Sequence, residues 1–407
     1  MTSCLRGAPS TRYSIVALVT LATFIDIVAY SICVPVLPDL AARMGASATT
    51  IGVLFASFGV TLLVVPIPAG ALSDRTGRRA PMVAGLALLA VASAAFGAGT
   101  NLPTLFVARL MQGAADAITW VIGFALLADA YEPGERGRMT GIVMAGASFA
   151  YMIGPSLGGW LYEMGGVRLP FFALAVFAAL AAAIFAIVNL DSGPARLAQA
   201  GRVPARDRVP AAAIVREPAV LACSAAVLAI ATTLAMFEPV VALHLETRVG
   251  LTPARVGLVF APAALANMGL HPLFGRLADR WGARRFTLIG LALTAAVLPL
   301  TSRMWSFRSA VMLSLVQTGA SSVVITPSLA YMAESVAVVG LGNYGVAYGL
   351  YNMAWGAGLL VGPAAGGFLF DRLGFAGLAW IWAPALALVP LVLSRVQSPR
   401  LPREEPV

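Results

Sequence analysis

The stretch Gly70-Ala-Leu-Ser-Asp-Arg-Thr-Gly-Arg-Arg79 lies between two apolar segments, and a similar stretch, Gly275-Arg-Leu-Ala-Asp-Arg-Trp-Gly-Ala-Arg-Arg285, begins 205 residues later. Two more pairs of similar stretches repeat at nearly the same spacing. They are Gly52–Phe55 with Gly257–Phe260, also 205 residues apart, and Gly154–Gly159 with Gly362–Gly367, 208 residues apart. Three matches at nearly one spacing are not expected by chance, so the repeat predicts two similar halves with the same orientation.

Apolar residues dominate the composition of the chain. Of its 407 residues, 59% are hydrophobic and 11% are charged, against roughly a quarter charged in a soluble domain. The mean hydropathy is +0.87. A soluble protein of this length could not bury so much apolar surface, and a disordered chain would need far more charged and polar residues. The composition therefore predicts a helical protein with many membrane crossings, each about 20 residues long.

Hydropathy divides the chain into twelve apolar segments. We predict an all-α membrane protein with twelve transmembrane helices in two pseudo-symmetric six-helix halves. The first half covers residues 1–190, a polar cytoplasmic loop covers 191–213, and the second half covers 214–407. The predicted crossings are 13–38, 50–72, 80–99, 103–131, 136–163, 168–190, 214–247, 252–277, 284–302, 305–333, 342–370 and 375–395.

The distribution of positive charge predicts the orientation in the membrane. The net charge is +9, and all 27 basic residues are arginine. If both termini are cytoplasmic, nineteen arginines fall in cytoplasmic segments and seven in outer segments, which fits the excess of basic residues on the inner side of membrane proteins. The arginines are scattered over short loops, so nucleic-acid binding is not predicted. The three cysteines predict neither a disulfide framework nor a metal site.

Two carboxylates lie inside apolar segments. Asp26 is near the centre of the first crossing, and Glu238 precedes Pro239 in the seventh, where the proline could open the helix locally. A carboxylate at this depth is costly unless it is paired, solvated or protonated, so both residues are candidates for binding a cation or a proton. The alternatives are a protonated Asp26 that bonds two helices together and a Glu238 that is solvated near the outer surface.

The fourth crossing carries Arg109, Gln112 and Asp116 on one face, at positions i, i+3 and i+7. We interpret Arg109 as a residue that bonds carbonyl groups and braces the first crossing. Asp116 is open to two interpretations, as the counter-ion of Arg109 through Gln112 or as a second proton site.

Aromatic residues could wall a pocket for an organic cation, because the face of an aromatic ring attracts positive charge. Tyr348, Asn352 and Trp355 share a stripe on the eleventh crossing, and Tyr30 and Phe237 are candidates from the first and seventh. The alternative is that these rings pack against other helices or lie at the membrane interface. On the eighth crossing, Asn267 and His271 are predicted to be hydrogen-bond partners between helices rather than metal ligands.

Three motifs resemble those of the major facilitator superfamily. The first is the loop between the second and third crossings, with Gly70, Asp74, Arg75, Gly77, Arg78 and Arg79. The second resembles the motif of the antiporters, with Gly154, Pro155 and Gly158 and the copies Gly362 and Pro363. The third is Arg109-Leu-Met-Gln-Gly113.

Within this superfamily, the chain resembles the drug:proton antiporter branch that includes the vesicular amine transporters. The resemblance covers all twelve crossings and rests on three stretches. They are Asp26-x8-Pro35-x-x-Pro38, Met236-Phe-Glu-Pro239 and Tyr331-x-x-Glu334. The charge network of that branch is reduced here, because Phe58 and Asn352 stand where it pairs a lysine with an aspartate, and Ser322 replaces a further carboxylate.

The resemblance also implies a role for the repeated loop in alternating access. We expect Asp74 to bind a helix N-terminus or an arginine of the other half in one conformational state. Asp129 is expected to join a charge cluster with Arg75, Arg136 and Arg138, and the alternative is a solvated surface ion pair. The glycines of the antiporter motif are expected to let neighbouring helices approach closely.

These observations predict a proton-driven antiporter that exports a hydrophobic, cationic small molecule, a drug or an amine. The alternative is an exporter of a neutral or zwitterionic metabolite. An enzyme is not predicted, because the two histidines and three cysteines form no catalytic or metal-binding pattern. No Walker motif is present, so the expected energy source is the proton gradient, without a cofactor. We expect a monomeric multi-pass protein of the cell membrane whose partners are the lipid bilayer, protons and a small organic cation.

Overall fold

The computed structural model describes residues 9–131, 133–188, 216–337 and 344–396. Thirteen helices are assigned within these ranges. Those of the first half are α1 (Pro9–Ser31), α2 (Cys33–Arg43), α3 (Ala48–Val64), α4 (Pro66–Thr76), α5 (Arg79–Ala98), α6 (Leu102–Ala130), α7 (Pro133–Gly165) and α8 (Arg168–Ile187). Those of the second half are α9 (Pro218–Thr247), α10 (Pro253–Trp281), α11 (Ala283–Thr301), α12 (Phe307–Ala337) and α13 (Tyr344–Ser394). The predicted central loop, 191–213, lies outside the described residues.

The helices have the lengths and apolarity of membrane crossings. Ten described stretches are long and apolar enough to cross alone, and α3 with α4 would form a further crossing that bends by 45°. The longest stretch, Gly349–Ser394, has 46 residues and is interrupted at Gly374, whose φ of 68° favours glycine. Its length is about twice that of one crossing, so it accommodates the last two predicted crossings. The predicted helical fold class is confirmed.

Prolines and glycines determine where the crossings bend and touch. Pro66 begins α4 at the bend, because a proline at the first helical position needs no hydrogen-bond acceptor. Where α7 meets α1, a side chain at Gly154 would collide with Ser31. Where α13 meets α9, a side chain at Gly362 would collide with the carbonyl of Thr232. The glycines of the two repeated motifs therefore lie at close helix contacts.

The chain forms two compact units, and each takes a short segment from the other half of the sequence. One unit combines first-half helices with Leu251–Ala264, which includes the start of α10. The other combines second-half helices with Ser47–Ala56, which includes the start of α3. In the second unit, Asp371 accepts hydrogen bonds from Ala48 N at 3.0 Å and Thr49 N at 2.7 Å, and from the Thr49 hydroxyl. In the first unit, Glu163 accepts one from Ala254 N at 3.3 Å. Each carboxylate thus caps a helix N-terminus.

Replacing Asp371 by Asn should lower thermal stability more than replacing Glu163 by Gln. Asp371 accepts three hydrogen bonds at its helix start, whereas Glu163 accepts one longer bond, and loss of an N-cap costs about 1 kcal/mol. The unfolding temperatures of the parent and both variants in detergent solution would measure this difference. A larger loss of stability in Glu163→Gln than in Asp371→Asn would contradict the conclusion that Asp371 is the stronger helix cap.

Candidate functional site

Two carboxyl groups meet inside the first unit, between α1 and α6. Asp26 is 2% exposed and Asp116 is 9% exposed, and their carboxyl groups are close enough to share a hydrogen bond. Thr119 donates its hydroxyl proton to Asp26 Oδ2 at 2.6 Å, and the hydroxyl oxygen of Thr119 lies 3.0 Å from the carbonyl oxygen of Asp116. Thr119 is not among the residues that the sequence predicts for this site. Its place three residues after Asp116, on the same face of α6, was the available signal.

Arg109 is fully buried and lies between two aromatic rings. Its guanidinium carbon is 5.1 Å from the ring centre of Tyr30 and 4.8 Å from that of Phe58. Arg109 Nη1 donates to Gln112 Oε1 at 3.0 Å, and Gln112 Nε2 donates to the carbonyl of Ala29 at 3.5 Å. These contacts agree with a residue that braces α1, and the charge of Arg109 also acts on Asp116.

In the structure, Tyr30 of the predicted aromatic pocket contacts an arginine of the protein itself. Tyr30 was expected to face an organic cation, but its ring and that of Phe58 already contact the guanidinium of Arg109. The pattern of a single helix could not show this contact, because the two rings and the arginine come from three different crossings. Phe237 meets Phe375 edge to face, with ring centres 6.2 Å apart, and His244 stacks on Phe375.

The stripe on α13 is partly buried. Trp355 is half-buried and stacks on Tyr351, with ring centres 6.3 Å apart, while Asn352 is exposed. Tyr351 is buried in the apolar core, and its hydroxyl lies 3.3 Å from that of Ser328. The side chain of Tyr348 lies outside the described residues. The stripe therefore leaves Asn352 and one side of Trp355 accessible.

Glu238 is half-buried on α9, and the neighbouring Pro239 is buried. The expected local opening at Pro239 is wrong, because α9 runs without interruption from Pro218 to Thr247. A proline removes one N–H from the helix and crowds the carbonyl four residues earlier, but neighbouring membrane helices can compensate for the lost hydrogen bond. Glu238 is therefore held on a regular helix.

The predicted hydrogen bonds of the eighth crossing are confirmed. Ser322 donates to Asn267 Oδ1 at 2.6 Å, and Thr326 Oγ1 lies 2.9 Å from His271 Nδ1. These two bonds join α10 to α12. Among the described residues, no group of three His, Cys, Asp or Glu side chains could hold a metal ion.

The repeated loop of the first half holds a three-residue charge cluster. Arg78 donates to Asp129 Oδ2 at 2.9 Å and to Asp74 Oδ1 at 2.6 Å, and also to Ser73 Oγ at 2.6 Å. Burial lowers the pKa of Arg78, but the hydrogen bonds with the two aspartates outweigh it and raise that pKa above its ordinary value. In this conformation the partner of Asp74 thus comes from its own loop.

The expected partners of Asp129 were only partly right. Asp129 joins a charge cluster, but through Arg78 rather than through Arg75, Arg136 or Arg138. Arg136 instead donates to the carbonyls of Ala128 and Tyr131, at 2.7 and 2.9 Å. These carbonyls lie at the C-terminal end of α6, where a cation is favourable because helix carbonyls are unsatisfied there.

Membrane crossings in two repeated halves, with titratable side chains buried inside the first, define a polytopic secondary transporter. The chain belongs to the Major Facilitator Superfamily, whose family model matches residues 19–237 and 221–407. The comparison therefore agrees with the prediction that the protein is a transporter and not an enzyme.

Relatives with known names confirm the predicted likeness to the vesicular amine transporters. The chain is 26% identical to the vesicular acetylcholine transporter of Drosophila melanogaster, over 94% of this chain and 71% of the relative. It is 29% identical to the probable vesicular acetylcholine transporter-B of Danio rerio, over 95% and 81%. It is 26% identical to the chromaffin granule amine transporter of Homo sapiens, over 86% and 64%.

Solved structures support the fold. A bacterial homolog of the human lysosomal transporter Spinster, in an inward-facing and occupied conformation, matches with a TM-score of 0.81 at 14% identity, over 96% of this chain and 98% of that chain. The nucleoside transporter NupG matches with a TM-score of 0.75 at 11% identity, over 94% and 100%. At these identities the similarity concerns the fold alone.

Replacing Asp129 by Asn should destabilise the protein more than replacing Asp74 by Asn. Both carboxylates bind Arg78, but the side chain of Asp129 is 19% exposed and that of Asp74 is 66% exposed. A fully exposed ion pair contributes under about 1 kcal/mol. A hydrogen bond to a charged group contributes about 1.5–3 kcal/mol, and the less exposed bond to Asp129 should be nearer to that range. Unfolding temperatures of the two variants would test this order. Equal losses would show that burial does not distinguish the two bonds.

Proposed function

We propose that the protein is a proton-coupled antiporter that exports a hydrophobic, cationic small molecule, an amine or a drug, by alternating access. The proposal rests mainly on the buried pair of Asp26 and Asp116 beside Arg109. Further support comes from the relatives, whose names specify acetylcholine and amines.

The charges of this cluster explain why proton and cation would exclude each other. When both carboxyl groups are ionised, Asp26, Asp116 and Arg109 together carry one net negative charge. One proton on the pair makes the cluster neutral. A net charge inside the membrane is costly, so the deprotonated cluster favours one organic cation and the protonated cluster does not. Alternate occupancy by a proton and a cation is the requirement for antiport.

In this proposal the residues of the site have separate roles. Asp26 is the cation ligand and Asp116 shares its proton. Tyr30 and Phe58 hold Arg109 rather than the substrate, because their rings contact its guanidinium. Glu238 is a proton site on the second half.

We further propose that the protein lies in the cell membrane as a monomer with both termini cytoplasmic. The excess of arginine in the segments on that side supports the orientation of the termini. The proton gradient is then the energy source, and no cofactor is needed. The alternative substrate, a zwitterionic metabolite, is favoured by the positive charge of Arg109, which could bind its carboxylate.

Replacing Asp26 by Asn should strongly weaken binding of the permanently charged lipophilic cation tetraphenylphosphonium. The variant cluster loses the negative charge that offsets the bound cation, so affinity should fall by about tenfold or more, which corresponds to about 1.4 kcal/mol. Asp116→Asn should weaken binding in the same direction, whereas Asp39→Asn, near the end of α2, serves as the matched control. Calorimetry of the purified variants would measure affinity, and a pH electrode in weak buffer would measure proton release.

Binding by the parent should release protons, and a neutral analogue of the same shape should bind without that release. Unchanged affinity in Asp26→Asn would remove this residue from the site. Equal competition by the neutral analogue and the cation would favour the alternative substrate class.

Replacing Glu238 by Gln should separate coupling from exchange. If Glu238 carries only protons, the variant should bind the cation at high pH but fail to accumulate it when a proton gradient is imposed on proteoliposomes. Exchange of labelled for unlabelled substrate requires no net proton movement and should survive. Glu246→Gln, on the same helix, is the control. Full gradient-driven accumulation by Glu238→Gln would assign the proton to Asp26 and Asp116 alone.

A further inference from the structure

A groove of about 830 Å³ runs along one side of the second unit, between α10, α11 and α12. Its wall is apolar except at one end, where Arg285 lies. Trp281 stands beside this end and stacks on Phe286, with ring centres 5.9 Å apart. Trp281 is 58% exposed, and Arg285 is also exposed. Within the part of the chain that the structure describes, Arg285 makes no hydrogen bond or ion pair.

The shape of the groove follows from the spacing of four residues on α11. Arg285, Ile289, Leu293 and Val297 line it and are four residues apart, so they form one stripe on the helix. The helix advances twelve residues from Arg285 to Val297, which corresponds to about 18 Å at 1.5 Å per residue. One leaflet of the hydrocarbon core, half of about 30 Å, is close to this length. Ile289 and Leu293 are 43% and 45% exposed, so the stripe is open along its side.

We propose that this groove binds an anionic glycerophospholipid from the leaflet on the side of the loop between α10 and α11. The phosphate contacts Arg285, and one acyl chain lies along Ile289, Leu293 and Val297. Three observations favour this occupant over others. The groove is as long as one leaflet, its only charged wall residue is positive and without a partner in the described chain, and Trp281 has the amphipathic ring that is typical of the membrane interface. Basic pockets between membrane helices are known to suit anionic headgroups.

The test uses the fluorescence of Trp281, which bromine atoms on a lipid acyl chain quench on contact. The protein has seven tryptophans, so the Trp281 signal is the difference between the parent and Trp281→Phe, which keeps a ring against Phe286. Both are reconstituted in phosphatidylcholine nanodiscs that contain increasing fractions of brominated phosphatidylglycerol or brominated phosphatidylcholine. Contact with one arginine should favour the anionic lipid, so half-quenching should need a fraction of brominated phosphatidylglycerol about fivefold lower than that of brominated phosphatidylcholine.

Three variants identify the source of this preference. Arg285→Gln should abolish it, whereas Arg280→Gln, an exposed arginine of the same segment that does not line the groove, should keep it. Gly319→Leu should exclude both lipids, because Gly319 lines the groove and a Cβ there would meet nothing within 4 Å, so a leucine side chain could extend into the groove. Equal quenching by the two lipids in the parent, or a preference that survives Arg285→Gln, would overturn the proposal. Absence of quenching by either lipid would show that something other than lipid covers the groove.

Discussion

A charge inside a membrane-spanning helix is stable only if a neighbouring helix supplies a counter-charge, a hydrogen bond or a polarisable ring. This requirement determines how α1 packs against α6 in the first unit. Asp26 on α1 has Thr119 and Asp116 on α6 as partners. Because each polar contact is specific in distance, it fixes the register of α1 against α6 more narrowly than apolar packing alone would.

Close backbone contact makes these polar contacts possible. Gly113 on α6 lies against the backbone of Phe58, where a side chain would collide. The absence of a side chain lets Phe58 reach the guanidinium of Arg109, one turn away on α6. The burial of a full positive charge thus depends on a glycine, because the ring that contacts the charge can approach only there. In the same way, the contact of Gly154 with Ser31 brings α7 against α1.

The sequence predicts those features that depend on one helix at a time. Hydropathy and the repeat at about 205 residues predict the crossings, and helical spacing places Arg109, Gln112 and Asp116 on one face. Contacts between helices are harder to predict, because they depend on packing geometry that spacing does not contain. The rings of Tyr30 and Phe58 were therefore given no arginine partner, and Thr119 was missed. The family resemblance predicts a role for the loop around Asp74, but it does not predict the bond between Arg78 and Asp129, which joins positions 51 residues apart.

The two copies of the repeated loop show how far pseudo-symmetry extends. At the spacing of 205 residues, Asp279 and Glu334 correspond to Asp74 and Asp129, but Ala283 stands in place of Arg78. The second copy therefore cannot form the charge cluster of the first. Its next arginine, Arg284, instead donates to the carbonyls of Leu393 and Ser394 at the end of α13, at 2.9 and 3.3 Å. These carbonyls lie at a helix C-terminus, where a cation is favourable. The repeat thus preserves the turn between crossings, which depends on Gly77 and Gly282 at positive φ. The presence of Ala283 in place of Arg78 changes which groups the charged side chains of this loop contact. For this reason, a role assigned to Asp74 does not transfer to Asp279. Each half has to be tested by its own variants.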